Sequence, residues 1–350
     1  MSTMATRDTT PMSSSELPLI VLDGSPRERG RQYGEMFRTR IIGRVAQLRE
    51  KLSTVWPSIS LSAQVALQKT GEASEGLWQE VLGIADGASA AATDILLLSA
   101  FEITGDVTVG CTVIALSDGG SAVMGQNWDA APGTGDEIVV LLHRNQGQPE
   151  LALIASIGGI GWVGANTHGL ALCNADLVLK GACEALPSQV MRRLVLEQGS
   201  TADGARIIHS RRHAGGRCYL IGDSKGDVRC LEVGPGSQVR TCTTRPRIAH
   251  TNHSLHQDIA VDEDTAALER TYPTSRRRLS RAADLVRCAT PTLGEAKRIL
   301  ADREGAPHSL CKAASAIERT ETTFSMIFET KTKTMHVGRT ASALTHVISL

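Results

Sequence analysis

The hydrophobic pattern changes character at Gly105, from mainly helical spacing to strand alternation, and that change most constrains the fold. Upstream, Ile41, Val45, Leu48, Leu52 and Val55 step by four and three, the spacing of one buried helical stripe. A short strand over 17–22 and the turn Gly24-Ser25-Pro26 lead into this helix, and Trp56-Pro57 is expected to end it. Further helices are expected over 62–89 and 93–103, the latter capped by Thr93 or Asp94. Downstream, Cys111 to Leu116, the turn Asp118-Gly119-Gly120 and Ala122 to Trp128 read as a hairpin. Strands follow over 138–143, 151–157 and 163–176, the last a pair around Thr167-His168-Gly169. Helices over 187–198 and 202–212 interrupt the series, and strands resume over 217–243, where Cys218, Cys230 and Cys242 recur every twelve residues, as in a meander. Helices over 265–288 and 293–302 and a hairpin of 323–329 with 334–338 close the chain. The pattern predicts a layered α+β unit, with two sheets between helical layers behind a mainly helical N-terminal segment.

Composition narrows the function. Thirty-seven basic residues balance thirty-seven acidic ones, so no net field draws the chain to nucleic acid or an anionic membrane. A 41% hydrophobic content supplies a sizeable core, and 3% aromatics argue against a stacking surface for bases or a carbohydrate cleft. Residues 1–16 carry neither a basic nor an apolar leader region, and no apolar run approaches the ~20 residues of a membrane span. A cytoplasmic protein with a small-molecule partner is expected. The eight cysteines form no C-x-x-C pair, so neither a zinc site nor a redox motif is expected from their spacing.

The chemistry begins where the period changes. Cys111 follows Gly110 and opens an apolar strand, the placement of an N-terminal nucleophile if the chain breaks before it. A thiol that also carries a free α-amine holds nucleophile and base in one residue, since such an amine titrates near ~7.7–8.0. Until then the amine is locked in the Gly110-Cys111 peptide, and the thiol must first attack the Gly110 carbonyl. Gly110, without a Cβ, tolerates that close approach. Asp129 lies eighteen residues on, and the hairpin returns it to the same sheet end, near the cysteine. Asn252, at a strand end in His250-Thr251-Asn252-His253, can donate to an oxyanion, and Asn174 in Leu172-Cys173-Asn174 can supply a second donor; both also suit turns. The spacing of His250, His253 and His256 raises a metal site, but the segment reads as strand to loop, where the three side chains need not share a face. Of Arg276, Arg277 and Arg278, one can reach inward. Gly159 to Gly164 fits G-x-G-x-x-G, yet a strand and turn follow, so no helix N-terminus is there to hold a pyrophosphate.

Together, Gly24 to Gly34, Gly110-Cys111-Thr112, Gly125 to Asp129, Gly164 to Asn174 and His250 to His253, with Ser275 to Leu279 as a weaker sixth, resemble the acyl-coenzyme A:isopenicillin N acyltransferase family. That family belongs to the self-cleaving N-terminal-nucleophile hydrolases. The resemblance implies a four-layer αββα sandwich and cleavage between Gly110 and Cys111. It implies Cys111 as nucleophile and base, Asp129 beside it and Asn252 at the oxyanion. Asn174 and Arg278 look like the second oxyanion asparagine and the active-site arginine of the related choloylglycine hydrolases. The expected organisation is a loose N-terminus over 1–17, a helical segment over 18–110 and a catalytic core over 111–350 in one compact unit, an α/β heterodimer after cleavage. The expected activity is hydrolysis or transfer of the acyl group of a small N-acyl amine or amino-acid amide, with an acyl thioester donor as a further partner and no cofactor or metal. A choloylglycine-hydrolase or N-acylethanolamine-type amidase and a catalytically silent binding protein are the alternatives. Ala130 follows Asp129 where an aromatic is common, which implies a different or roomier pocket.

Overall fold

The structure is a computed structural model that describes residues 16–105, 110–144, 147–316 and 318–350. The N-terminal part runs β1 (Leu19–Asp23), α1 (Pro26–Met36), α2 (Arg38–Lys51), α3 (Trp56–Ala73), α4 (Glu75–Ala88), α5 (Ala92–Leu97) and α6 (Phe101–Thr104). Then come β2 (Gly110–Ser117), β3 (Ala122–Ala130), β4 (Ile138–Arg144), β5 (Leu151–Ser156), β6 (Val163–Asn166), β7 (Ala171–Asp176), α7 (Ser188–Leu196) and α8 (Thr201–His209). The chain continues through β8 (Arg217–Gly222), β9 (Val228–Val233), β10 (Val239–Thr243), β11 (Arg247–His250), α9 (Gln257–Ala260), α10 (Thr265–Thr271), α11 (Ser275–Val286) and α12 (Leu293–Leu300). It ends in β12 (Glu321–Glu329), β13 (Thr334–Thr340) and β14 (Ala343–Ser349).

Two sheets form, in the orders β1-β4-β5-β6-β7-β8-β9-β10 and β11-β2-β3-β12-β13-β14. They pack face to face where β2 and β3 meet β7 and β8. Strand alternation divides β2 between two cores: Cys111, Val113 and Ala115 face the other sheet, whereas Ile114 and Leu116 face Ala282, Val286, Ile299 and Leu300 of α11 and α12. Helices α7 and α8 pack on β6 to β9 of the larger sheet. The architecture is the expected α+β sandwich, with helix, sheet, sheet and helix in successive layers. No described helix is long and apolar enough to cross a membrane.

The N-terminal segment is built into this sandwich. β1 pairs in parallel with β4 at the sheet edge. Leu17, within the expected loose terminus, is buried, while residues 1–15 of that expectation lie outside the described residues. Tyr33 donates its hydroxyl to the Ser156 carbonyl and accepts from the Gly158 N–H. Although burial works against it, the Arg193 guanidinium keeps Glu80 ionised and lowers its carboxyl to about 2, in a fork of 2.7 and 2.9 Å.

Several expected boundaries move for identifiable reasons. The first helix breaks at Phe37 and ends at Lys51, so Val55 lies outside it and is exposed. Pro57 sits in the first turn of α3, so the dipeptide expected to stop a helix starts one. Asp94 caps nothing, since Ala91 is the cap residue; Asp94 is buried against Arg49 at 2.6 Å. Pro273 splits the helix expected over 265–288. Strand β14 was not expected at all. Gly159 to Gly164 forms a turn into β6, with no helix after it.

Helices α1 and α4 approach through glycines on both sides. A Cβ on Gly30 would lie 2.2 Å from the Glu80 carbonyl, one on Gly34 2.3 Å from that of Ile84, and one on Gly83 2.2 Å from that of Arg27. These contacts are backbone and cannot yield. Gly83→Ala should therefore destabilise by about 2 kcal/mol or more, as overpacking does. Gly43→Ala in α2, where a Cβ meets nothing within 4 Å, should instead stabilise by about 0.5–1 kcal/mol by removing a helical glycine. Urea unfolding of both variants checks the contrast; equal effects would remove the glycine contacts as its cause.

Candidate active site

Gly110 and Cys111 begin β2, so the peptide between them enters the sheet directly. Register pairs Gly110 with Asp129 and Cys111 with Trp128. The hairpin does return Asp129 to the same end of the sheet, but alternation puts its side chain on the face of Gly110, opposite the thiol. A Cβ on Gly110 would lie 3.2 Å from Asp129 Oδ2 and 3.7 Å from Arg278 Nη2. The thiol instead looks between the sheets.

Every polar atom of the Cys111 backbone is held. Its N–H donates to Asn252 Oδ1 at 2.9 Å, and its carbonyl accepts from Arg278 Nη1 at 2.5 Å. Arg278 also donates to Thr112 Oγ1 at 2.8 Å, to Asn252 Oδ1 at 2.8 Å and to Thr274 Oγ1 at 3.1 Å. Of the three adjacent arginines, Arg276 and Arg277 are exposed and Arg278 is completely buried. Asn252 donates its side-chain amide to the Asp176 carbonyl at 3.2 Å, so one of its two N–H groups is engaged. Its backbone N–H is fixed by Ser275 Oγ at 2.8 Å.

Asp129 is fully buried. Oδ1 accepts from Thr322 at 2.9 Å, Oδ2 has no hydrogen-bond partner, and Lys312 Nζ stands 4.0 Å away. Burial raises its pKa, against the pull of the Lys312 and Arg278 cations. The Cys111 thiol is pushed well above its usual range by burial, with the Asp176 and Asp129 carboxylates adding to the shift. In the intact chain it is a neutral thiol.

On the inner face, Gln126 bridges two of the expected residues. Its Nε2 lies 3.7 Å from Cys111 Sγ, and its Oε1 accepts the Asn174 backbone N–H at 2.9 Å. Asn174 Oδ1 in turn accepts from Arg192 at 3.1 Å. Sequence reading gave Gln126 and Arg192 no role. The period-2 pattern could have found Gln126, which shares the thiol's face of the hairpin; Arg192 comes from a helix far along the chain and carried no such signal.

Phe101, Trp128, Trp162 and Phe324 close a cavity over this group, four of the eleven Phe, Trp and Tyr residues of the chain. Trp128 stacks on Phe324 with ring centroids 5.6 Å apart and meets Trp162 at a tilt of 38° with centroids 4.8 Å apart. The cavity is narrow, with about 10 Å³ wide enough for a water molecule, and Ala130 is not among its lining residues. Trp162 Nε1 is a buried donor without a partner. The three histidines of the 250–256 segment diverge: His250 binds Glu232, His253 binds Ser275 and His256 caps α9.

Comparison with known proteins bears on this site. The sequence model of the acyl-coenzyme A:6-aminopenicillanic acid acyl-transferase family matches residues 116–340, a span that begins downstream of the Gly110-Cys111 step. The 40 kDa form of acyl-coenzyme A:6-aminopenicillanic-acid-acyltransferase from Emericella nidulans is 28% identical over 274 residues, which cover 76% of this chain and 73% of that one. Among solved structures, penicillin V acylase from Agrobacterium tumefaciens aligns with a TM-score of 0.42 and 10% identity, over 65% of this chain and 82% of its own. A mutant of conjugated bile acid hydrolase from Clostridium perfringens aligns with a TM-score of 0.47 and 12% identity, over 69% of this chain and 92% of its own. With well over half of its length matched by the family's sequence model, the chain belongs to the acyl-coenzyme A:6-aminopenicillanic acid acyl-transferase family.

Proposed function

We propose that this chain is a precursor that cuts its own Gly110-Cys111 bond and then hydrolyses or transfers the acyl group of a small N-acyl amine or amide through a thioester on Cys111. One observation carries the reading. The Cys111 thiol opens on a ring-lined cavity, while the N–H and C=O of the same residue are clamped by Asn252 and Arg278.

In the first step, Sγ attacks the Gly110 carbonyl carbon and the thiol proton passes to the departing Cys111 nitrogen. Water then opens the Gly110 thioester, leaving a Gly110 carboxylate and a Cys111 α-amine. Asp129, with a free Oδ2 beside Gly110 and a pKa raised by burial, is the acid–base group at hand. The new amine keeps the Asn252 oxygen as its acceptor, and the Arg278 cation 2.8 Å from that oxygen favours the neutral amine. The amine can then take the thiol proton.

In the second reaction the thiolate attacks the substrate acyl carbonyl. Candidate oxyanion donors are the side chains of Gln126, Asn174 and Asn252, the last once released from Asp176, and the unpartnered Trp162 Nε1–H. The Cys111 ammonium returns its proton to the leaving amine, and water or an acceptor amine opens the thioester. The rings of Trp128, Trp162 and Phe324 suit a flat, apolar acyl group. β1 and the Glu80–Arg193 pair would keep the two products together as a heterodimer.

Denaturing mass spectrometry of the purified protein should find one chain ending at Gly110 and another beginning at Cys111. Cys111→Ala should stay intact and release no amine from N-acyl amides; an active Cys111→Ala enzyme would overturn the nucleophile assignment.

Asp129→Asn separates chemistry from stability. Cleavage should slow by about 10²-fold or more, the usual worth of a positioned acid–base group. A carboxyl whose pKa is raised in the folded chain binds its proton more tightly there than when unfolded. Its contribution is therefore present below the ordinary Asp range and is lost as pH rises through the raised folded value. Asp129→Asn should remove this decline, with an unfolding midpoint at neutral pH no lower than that of Cys111→Ala, the uncleaved reference. A variant that cleaves at the native rate would discard the role.

A further inference from the structure

Three strands place sulfur and nitrogen donors together between the sheets, away from the cavity at Cys111. Cys218 on β8 pairs in register with Glu232 on β9, and Cys230, two residues before Glu232, lies on the same face. Their thiols are 3.5 Å apart. His250, at the end of β11 in the other sheet, projects toward them, and one ligand atom from each of Cys218, Cys230 and His250 falls within 4.8 Å of the others. All three are completely buried. None of the chemistry proposed for Cys111 uses these side chains.

We propose that Cys218, Cys230 and His250 form a structural zinc site that pins the start of the Asn252 loop. Two thiolates on one zinc at ~2.3 Å stand roughly 3.8 Å apart in a tetrahedral site, so the two sulfurs need little movement. Two thiolates neutralise a divalent cation, which suits a buried position. Both ring nitrogens are engaged, Nδ1 2.7 Å from the Thr251 carbonyl and Nε2 2.7 Å from Glu232 Oε1, so the metal takes the place of one contact. With Nδ1 turned to zinc, Nε2 stays on the Glu232 carboxylate, the outer partner that zinc-bound histidines have. Glu232 is itself fixed by the backbone N–H groups of Leu255 and His256 at 2.7 and 3.0 Å. The Cys242 thiol, at the bulge of β10 near Cys230, stands outside this group of three and would have to move in to serve as the fourth ligand. Binding exchanges the two thiol protons for the cation, with no change of oxidation state. The spacing of twelve residues concealed the set, because adjacent strands of a meander, not a local C-x-x-C loop, bring the sulfurs together.

The full-length protein, purified with a thiol reductant and stripped by chelator, should take up one equivalent of zinc and unfold at a higher temperature with it. Zinc K-edge absorption of the wild type should show at least two sulfur neighbours at ~2.3 Å beside nitrogen or oxygen. Cadmium should give a thiolate charge-transfer band that survives Cys111→Ala and Cys311→Ser but is lost in Cys218→Ser and Cys230→Ser. Glu232→Gln should weaken zinc binding by about 10–100-fold, as loss of an outer partner does. Failure to bind one equivalent, a shell without sulfur, or a band that depends on Cys111 instead would overturn the proposal. So would a chain two hydrogens lighter without reductant that still binds no zinc once reduced, since the pair would then be a disulfide. The absorption measurement needs no variant, so a poorly folding Cys230→Ser cannot decide the matter.

Discussion

A single buried guanidinium sets the geometry at the head of β2. Arg278 comes from α11, crosses the outer face of the smaller sheet and donates to the Cys111 carbonyl, Thr112 Oγ1 and Asn252 Oδ1. A cation cannot be left unpaired in such a place, where each desolvated ion loses several kcal/mol of hydration. Its planar fork therefore dictates where three oxygens stand. Those oxygens belong to Cys111, to its neighbour on the strand and to the loop after β11. Lysine, with one rounded ammonium, would not hold all three in one plane. The tight register of the Gly110-Cys111 step follows from this constraint more than from strand propensity.

The same arrangement gives the proposed precursor no ready route to amide chemistry before it is cut. Its thiol is neutral, its cavity admits about one water molecule, one side-chain N–H of Asn252 is held by Asp176, and the backbone N–H of Asn174 is held by Gln126. The proposed cut would change these together: it would supply an amine that titrates near ~7.7–8.0, free the segment leading into β2, and let Asn252 exchange a peptide N–H for an amine. The N-terminal segment has no comparable freedom, because β1 is a strand of the larger sheet and Glu80 shares a buried fork with Arg193.

Much of this was legible in the sequence, and the rest was hidden for definable reasons. The change of period at Gly105 and the Asp118-Gly119-Gly120 turn located the hairpin, and from it the return of Asp129. Alternation alone places Asp129 and Cys111 on opposite faces, a consequence the spacing already contained. Pro57 misled because proline ends a helix only when its N–H is needed; in a first turn it is not. Arg192, Thr322 and Lys312 reach the site from elements remote in sequence, so only tertiary packing could nominate them. The aromatic cavity was invisible to composition, since a low total says nothing of how few residues are gathered in one place.

The two faces of the β2–β3 hairpin divide the chemistry, and register is what keeps them apart. Cys111, Gln126 and Trp128 lie on the inner face and line the cavity there; Gly110, Thr112 and Asp129 lie on the outer face with Arg278 and Lys312. A slip of one residue in either strand would exchange these sets and bury the carboxylate beneath the rings. The eight consecutive pairs from Gly110–Asp129 to Ser117–Ala122 contain no bulge to permit it. Gly125 adds a steric preference: a Cβ there would lie 2.7 Å from Leu300 Cδ1 of α12, so a larger residue slipped into its place would have to push that side chain aside. The helix that lies against Gly125 also accepts Asn127 Nδ2 at the Leu300 carbonyl, so the outer layer reads the register twice, by shape and by hydrogen bond. A motif that looked like a local signature of five residues is thus a statement about which side of a sheet each of them must face.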